Sequence, residues 1–484
     1  MLILFCMIFA VAMFLVGRLG YIMIGRGAYY SELAQDLHER ERAIKAPRGR
    51  ILDRNGVVLA GNRPVCTISV IHSQVTDPEQ VVRELTQRLG LSEDEVRSKV
   101  EKISSREKIK SNVDKAVADE IRALHMDGVM VDEDYKRYYP FDDMASRVLG
   151  FTGADNQGIV GLEVEYDAIL QGTDGYILTM TDANGIELAN TAEARKEPIP
   201  GQDLCISLDS NIQAYVQQEA EKTLIAKEAI GVSIIVMNPK NGEIYAMVNA
   251  PEYNLNEPYT LNTGETGLGQ EEQQNALNQM WRNFCINDTY EPGSIFKTVT
   301  ATAAFEKGVL TVKDTFVCPG YRIVGDRMIR CHKTTGHGQE TFRQGIMNSC
   351  NPVFMDVGLR TGTDAMYHTY EQLGLMQKTG IDLPGEAGSI MHKQEDVTEI
   401  DLAIMSFGQS FQITPMQLIT AVSAIVNGGN RITPHFGMYT VDEQGNRLET
   451  YTHPVEEGVI SPETSATMRE LMEAVVAEGS GRKG

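Results

Sequence analysis

The stretch Asp288-Thr289-Tyr290-Glu291-Pro292-Gly293-Ser294-Ile295-Phe296-Lys297-Thr298 places a serine three residues before a lysine. It follows a Pro-Gly break and heads a helix-like run from Thr298 to Lys307. On a helix, positions i and i+3 share a face, so the Lys297 amine is expected beside the Ser294 hydroxyl. A serine hydroxyl is a weak nucleophile until a base takes its proton, and a lysine kept neutral by desolvation can be that base. The pattern is not selective by itself. Ser105-Arg106-Glu107-Lys108 and Ser480-Gly481-Arg482-Lys483 match it equally. The first lies in a charged, helix-like segment and the second in a Gly-rich tail, where solvated surface is the simpler reading.

The surroundings of Ser294 narrow the choice. With 484 residues, more than one domain is expected. A composition 42% hydrophobic and 23% charged is that of a globular protein able to build a core. The net charge of −22 argues against nucleic acid as the main partner, because phosphate binding calls for clustered Lys and Arg. Seven scattered cysteines, an odd number, do not form a disulfide framework.

Met1 to Gly17 carries no charge, Arg18 interrupts, and Leu19 to Ile24 is apolar again. As a helix, residues 1–24 would reach roughly 36 Å, which suits a membrane span with Arg18 snorkelling to an interface. A cleaved signal peptide fits less well, with no basic leading region and no clear cleavage site before Tyr29; a buried core helix is the third reading. Ser31 to Ile44 reads as a charged helix. Asn55-Gly56 between apolar runs predicts a hairpin, Val65 to Ile71 a strand, and Glu79 to Leu89 and Glu93 to Ile103 amphipathic helices. No catalytic constellation stands out between 30 and 200. A boundary is expected at Glu197-Pro198-Ile199-Pro200-Gly201. Beyond it the patterns predict a strand over 204–208 and a helix over 210–224 capped by Asp209 or Ser210. Strands over 229–237 and 243–248 follow, then helices over 342–359, 365–373, 415–427 and 462–477.

Ser349-Cys350-Asn351 is the only Ser-x-Asn in the chain, 55 residues after Ser294. A hydroxyl and an amide two residues apart can relay a proton and hold a substrate amide; alone, the triplet reads equally well as a polar turn. Ser-x-x-Lys with Ser-x-Asn belongs to the active-site set of class A β-lactamases and penicillin-binding proteins. Further collinear segments are Arg48-Gly49-Arg50-Ile51-Leu52-Asp53-Arg54-Asn55-Gly56, Gly161-Leu162-Glu163, Thr379-Gly380-Ile381-Asp382-Leu383-Pro384-Gly385-Glu386 and Ser406-Phe407-Gly408-Gln409. With these, the chain resembles class B penicillin-binding proteins, the membrane-anchored peptidoglycan D,D-transpeptidases, and within them the Gram-positive sporulation and division branch.

The resemblance implies an α+β protein in three parts: a transmembrane anchor (1–24), an elongated pedestal or dimerisation-type domain (25–200), and a transpeptidase domain with helices around an antiparallel sheet (201–484). It implies Ser294 as nucleophile, Lys297 as base, Ser349 as proton relay and Asn351 as amide holder, with Gly408 and Gln409 binding substrate. It implies D-Ala-D-Ala stem peptides as substrate, β-lactams as inhibitors, and a single-pass cell-membrane location with the catalytic domain extracytoplasmic. Partners would be glycosyltransferase or divisome-type proteins. It implies no cofactor and no metal. One departure matters: the third motif, Lys-Thr-Gly, is expected shortly beyond a helix like Glu470 to Gly481, and the sequence reads as cut before it. Lys378-Thr379-Gly380 stands out of order and is not assigned. A β-lactam sensor or hydrolase and a non-catalytic cell-wall scaffold therefore stay open as alternatives.

Cys318, Cys331, His332, His337 and Cys350 fall within 33 residues, with Cys285 and Asp288 just before the nucleophile. Thiolates and imidazoles in sets of four bind zinc. A Cys318–Cys331 disulfide and unliganded thiols are the other readings.

Overall fold

The computed structural model describes residues 2–26, 39–104, 106–180 and 194–482. Leu2–Gly20 is an α-helix of 19 residues, continued by a π-helical turn at Tyr21–Gly25. The α-helical part reaches roughly 28 Å. Among the described residues no helix is long and apolar enough to cross a membrane. The helix expected over Ser31 to Ile44 is corrected where it is described: Glu39–Ile44 is a strand, paired antiparallel with Gly175–Met180. Residues 27–38 lie outside the described ones. A charged segment carries little apolar periodicity, so its helix reading had no buried face behind it. The strand instead takes its hydrogen bonds from a partner far along the chain.

Two compact units form, and neither is continuous in sequence. The smaller comprises Met1–Arg48, Asn62–Lys136 and Gln171–Gly201; the larger comprises Gly49–Gly61, Arg137–Leu170 and Gln202–Gly484.

In the smaller unit the helices Pro78–Leu89 and Glu93–Val100 form where their periodicity placed them. Asp77 accepts from the Gln80 N–H, proline opens the first turn, and Gly90 ends the helix in the left-handed region. Val81, Val82, Leu85 and Leu89 share its inner face. They pack with Val96, Val100, Ala118 and Ile121 against Ile68, Val70, Ile109 and Val113 of neighbouring strands.

In the larger unit the Asn55-Gly56 hairpin is present. Ile51–Leu52 pairs antiparallel with the start of Val58–Val70, and the Asp53 carboxylate accepts from the Asn55 and Val57 N–H groups at 2.7 and 2.9 Å. Ile51–Leu52 also pairs in parallel with Leu204–Cys205. Arg50 donates to the Asp203 carboxylate through Nε at 2.8 Å, and Asp53 accepts from the Ser210 hydroxyl at 2.8 Å. This stretch thus closes the sheet onto the start of helix Ser210–Lys227, which Asp209 caps by accepting from the Asn211 and Ile212 N–H groups. That helix buries Ala220 against Val248 and Ala250 of the hairpin Val232–Met237/Ile244–Ala250.

The largest core gathers helices Asn351–Thr361, Thr363–Gln372, Glu399–Met405, Pro415–Val426 and Pro462–Ala477 with helix Lys297–Glu306. Lys297–Glu306 is buried at seven of its ten positions, mostly by small residues. Small side chains let neighbouring helices approach it closely, and its buried hydroxyls are satisfied: Thr300 donates to the Ser406 carbonyl at 2.9 Å and Thr302 to the Thr298 carbonyl at 2.8 Å. The helix expected over 342–359 is broken into Phe342–Met347 and Asn351–Thr361. The break is at Ser349, whose φ of 50° lies in the left-handed region.

Candidate active site

Ser294 sits on a 3-10 turn, Gly293–Phe296, that runs directly into helix Lys297–Glu306. Gly293 takes φ 58°, which a side chain would disfavour, and its N–H donates to the Gly408 carbonyl at 2.8 Å. Gly408 is pressed against the same turn: a Cβ there would lie 2.0 Å from the Gly293 carbonyl oxygen. Phe296 fixes the turn from below, fully buried, with its ring 4.6 Å from that of Phe411.

Lys297 is buried, and its Nζ lies 3.1 Å from Ser294 Oγ, 3.0 Å from Ser349 Oγ, 2.8 Å from the Ser349 carbonyl and 2.8 Å from Asn351 Oδ1. Burial pushes the Lys297 amine down from 10.5 to about 8. The partners define the useful protonation state. The Ser349 carbonyl and Asn351 Oδ1 can only accept, so they take the two N–H bonds of a neutral amine. Its lone pair is then left to receive the proton of a hydroxyl.

Ser349 reaches this position through its left-handed backbone. Its N–H donates to the Ile346 carbonyl at 3.0 Å and that of Cys350 to the Gly345 carbonyl at 2.9 Å. Cys350 is the N-cap position of helix Asn351–Thr361 and Pro352 lies in its first turn. Asn351 Nδ2 donates to the Arg330 carbonyl at 3.4 Å.

Ser294, Lys297, Ser349 and Asn351 are therefore brought together. Gly408 meets them through its backbone, and Gln409 is exposed beside it. Of the two other matches, Ser105 and Lys483 lie outside the described residues, and the Ser480 N–H donates to the Met347 carbonyl at 2.8 Å. Thr379 and Gly380 are held in their own turn by the Glu386 carboxylate, which accepts from both backbone N–H groups.

Of the cysteine–histidine set, Cys318, Cys331, His337 and Cys350 converge. His332 is exposed, Cys285 is buried against Asn249, and Asp288 pairs with Arg282 at 2.6 Å. Cys318 and Cys331 are free thiols, so the disulfide reading is not realised. Sequence reading missed Glu291 and Glu340. Glu291 accepts from the Ser410 N–H at 2.8 Å, tying the residues after Gly408 to the serine turn. Its place two residues before Gly293 was visible, but its partner lies 119 positions away.

Residues 232–483 match the family model described as penicillin binding protein transpeptidase domain, and residues 43–206 match the penicillin-binding protein dimerisation domain. Stage V sporulation protein D of Bacillus subtilis is 37% identical over 99% of this chain and 73% of its own length. The peptidoglycan D,D-transpeptidase MrdA of Acinetobacter baumannii is 29% identical over 97% of this chain and 73% of its own. Among solved structures, penicillin-binding protein 2X of Streptococcus thermophilus shares the fold with a TM-score of 0.72 at 23% identity, over 90% of this chain and 66% of that one. A complex of penicillin-binding protein PBP2 with MreC from Helicobacter pylori matches with a TM-score of 0.72 at 25% identity, over 92% and 85%. With a family model matched across the segment that carries Ser294, Lys297, Ser349 and Asn351, this chain belongs to the penicillin-binding protein transpeptidase family.

Proposed function

We propose that this chain is a peptidoglycan D,D-transpeptidase that cross-links stem peptides through an acyl-enzyme on Ser294. The observation that carries the reading is the single buried amine of Lys297 within hydrogen-bond reach of Ser294 Oγ, Ser349 Oγ and Asn351 Oδ1 together. Neutral Lys297 takes the Ser294 proton as Oγ attacks the carbonyl of the penultimate D-alanine. The new C–O bond forms, the C–N bond to the terminal D-alanine breaks, and the proton passes through Ser349 to the leaving amine. An amine of a neighbouring stem then attacks the ester, loses its proton to the same relay, and restores the Ser294 hydroxyl. Asn351 orients the substrate amide, and Gly408 with Gln409 lines the place where the peptide lies. A β-lactam, whose strained amide presents the same carbonyl, acylates the same serine.

In this reading residues 1–24 anchor the protein in the cell membrane, 25–200 form the pedestal and 201–484 the transpeptidase domain, facing the extracytoplasmic peptidoglycan. The N-terminal helix supports the anchor: Phe9, Phe14, Val16 and Leu19 are all more than half exposed, a face that water does not favour. Partner proteins in wall synthesis are supported in kind by the solved PBP2–MreC complex.

A fluorescent penicillin tests the chemistry. Covalent labelling of the wild-type protein that disappears in Ser294→Ala is the expected result. Labelling retained at another residue in that variant would remove Ser294 as nucleophile.

A further inference from the structure

Residues 408–411 touch the serine turn at both ends. At one end the Gly408 carbonyl accepts from the Gly293 N–H at 2.8 Å, and at the other the Phe411 ring lies 4.6 Å from that of Phe296. Between these contacts stand Gln409, which is exposed, and Ser410, which is half-buried. Ser410 takes φ 70°, a left-handed backbone that costs energy in any residue with a side chain. Such conformations persist only where the surroundings over-determine them, and they gather at functional sites.

Two side chains from other parts of the chain hold Ser410 in that shape. Its N–H donates to Glu291 Oε1 at 2.8 Å, and its hydroxyl shares a hydrogen bond with His392 Nε2 at 3.0 Å. His392 is held in turn through its carbonyl, which accepts from the hydroxyl of the buried Tyr367 at 2.7 Å. The next residues are fastened to the same two segments. Tyr290 and Ile413 exchange both backbone hydrogen bonds at 3.0 and 3.1 Å, and Thr289 Oγ1 donates to Gln412 Oε1 at 2.8 Å. Gln412 and Ile390 exchange theirs at 2.8 Å each. The stretch that carries Ser294 therefore also carries, three positions earlier, the carboxylate that pins Ser410. A carboxylate accepting from a backbone N–H makes a charge-assisted bond, stronger than a neutral one. The proton path from Ser294 through Lys297 and Ser349 asks nothing of Glu291, Ser410 or His392.

We infer that Glu291 is a positioning residue for acylation: acting through the Ser410 N–H, it fixes Gln409 against the serine turn, so that a substrate lying along Gln409 meets Ser294 Oγ in an attacking geometry. His392 grips the same residue through its hydroxyl. Glu291 exchanges no proton with the substrate; its oxygen serves only by accepting at a fixed place. The gain is one of orientation, where a displacement of about 1 Å in a bound group can cost about a hundredfold in rate. The role rests on the reading of Ser294 as nucleophile and of Gln409 as a residue that lines the substrate; the bond between Glu291 and Ser410 does not.

The test uses the whole chain and two readouts, one independent of activity. In amide hydrogen exchange, peptides spanning residues 408–413 should exchange about tenfold faster or more in Glu291→Ala than in wild type, and at the wild-type rate in Glu291→Gln, whose amide oxygen accepts from the same N–H. In stopped-flow labelling with a fluorescent penicillin, Glu291→Ala should acylate about tenfold more slowly or worse, with a melting temperature close to that of wild type because Glu291 is exposed. Glu291→Gln should recover to within a few-fold. The pH midpoint of acylation should stay near 8, that of Lys297, in both variants. Adding Gln409→Ala to Glu291→Ala should slow the reaction no further than Gln409→Ala does alone, since the two act by one route. Should Glu291→Ala fail to fold, Glu291→Met, which keeps the stem and removes the acceptor, takes its place. Wild-type acylation in the variant without the acceptor overturns the positioning role, as do additive effects with Gln409→Ala. Glu291→Gln as slow as Glu291→Ala, or a shifted pH midpoint, overturns it in favour of a role for the charge or proton of Glu291. Unchanged exchange overturns the pin itself. A wild-type protein that takes no label, or a Ser294→Ala variant that keeps it, instead overturns the reading of Ser294 as nucleophile and leaves the exchange result standing.

Discussion

In the proposed mechanism Lys297 acts as the base because burial lowers its proton affinity to a useful range. With its amine at about 8, about one chain in ten holds the neutral base at pH 7. β-Lactam acylation is therefore expected to rise about tenfold per pH unit up to 8 and to level off above it, as stopped-flow labelling across pH 6 to 9 would show. The same shift has a stability consequence of defined sign. The folded value lies below the ordinary 10.5, so between about 8 and 10.5 the unfolded chain holds more protons, and stability gained from this group rises with pH across that window. Its slope reaches at most about 1.4 kcal/mol per pH unit. Lys297→Met should remove that slope from the pH dependence of unfolding, measured against wild type. Ser349→Ala separates relay from scaffold: deacylation and acylation rates should fall by about a hundredfold with the melting temperature nearly unchanged. A rate within a few-fold of wild type would take Ser349 out of the proton path. That Ser294 and Lys297 share a face was legible from three-residue spacing, and the collinear motifs singled them out from the two other matches. Glu340 was not, because nothing in its neighbourhood in sequence announces that it will be buried between a histidine and an asparagine.

At the scale of elements, the site depends on two backbone devices. The first is the contact of Gly408 with the serine turn. Gly408→Ala would push a Cβ to 2.0 Å from the Gly293 carbonyl at a φ of 85°, and neither backbone can yield without moving Ser294. Loss of penicillin labelling together with a stability loss of about 2 kcal/mol or more is expected; full labelling would show that the turn tolerates displacement. The second is the break between Phe342–Met347 and Asn351–Thr361. Apolar periodicity runs across residues 342–359 and predicted one helix. A single left-handed residue interrupts hydrogen bonding without disturbing that periodicity, so the break is invisible to pattern. It is also what turns Ser349 and Asn351 onto the same amine. Capped helices such as Pro78–Leu89 were readable because their stop and start signals act over four residues. The strand Glu39–Ile44 was not, because its partner is remote.

At the scale of the molecule, the larger unit is assembled from three separated segments, and Arg137, paired with Glu163 within one of them, reaches a second through the Gly49 carbonyl. Arg137 Nε donates to Glu163 Oε1 at 2.6 Å and Arg137 NH1 to the Gly49 carbonyl at 2.7 Å, with the side chains 2% and 0% exposed. Tyr139 adds its hydroxyl to the same carboxylate oxygen at 3.2 Å. Glu163→Ala would take the carboxylate away from a buried guanidinium, and a loss of about 3–5 kcal/mol in chemical denaturation is expected; a change below about 1 kcal/mol would mean that the pair is dispensable. Signatures that include Gly49 and Glu163 marked the family, but not that these two residues meet on the one Arg137 side chain. The sequence by itself determined the local matters: where chain turns, which helix faces are apolar, which serine stands one helical turn from a lysine, and which family those motifs name. These depend on residues a few positions apart, so they survive without a fold. Only the tertiary structure set the Ser294, Ser349 and Asn351 side chains around the one Lys297 amine. It also decided that four thiol and imidazole groups, out of the seven candidates in that region, converge. Such choices rest on contacts between residues tens to hundreds of positions apart, and burial of the shared core selects those contacts.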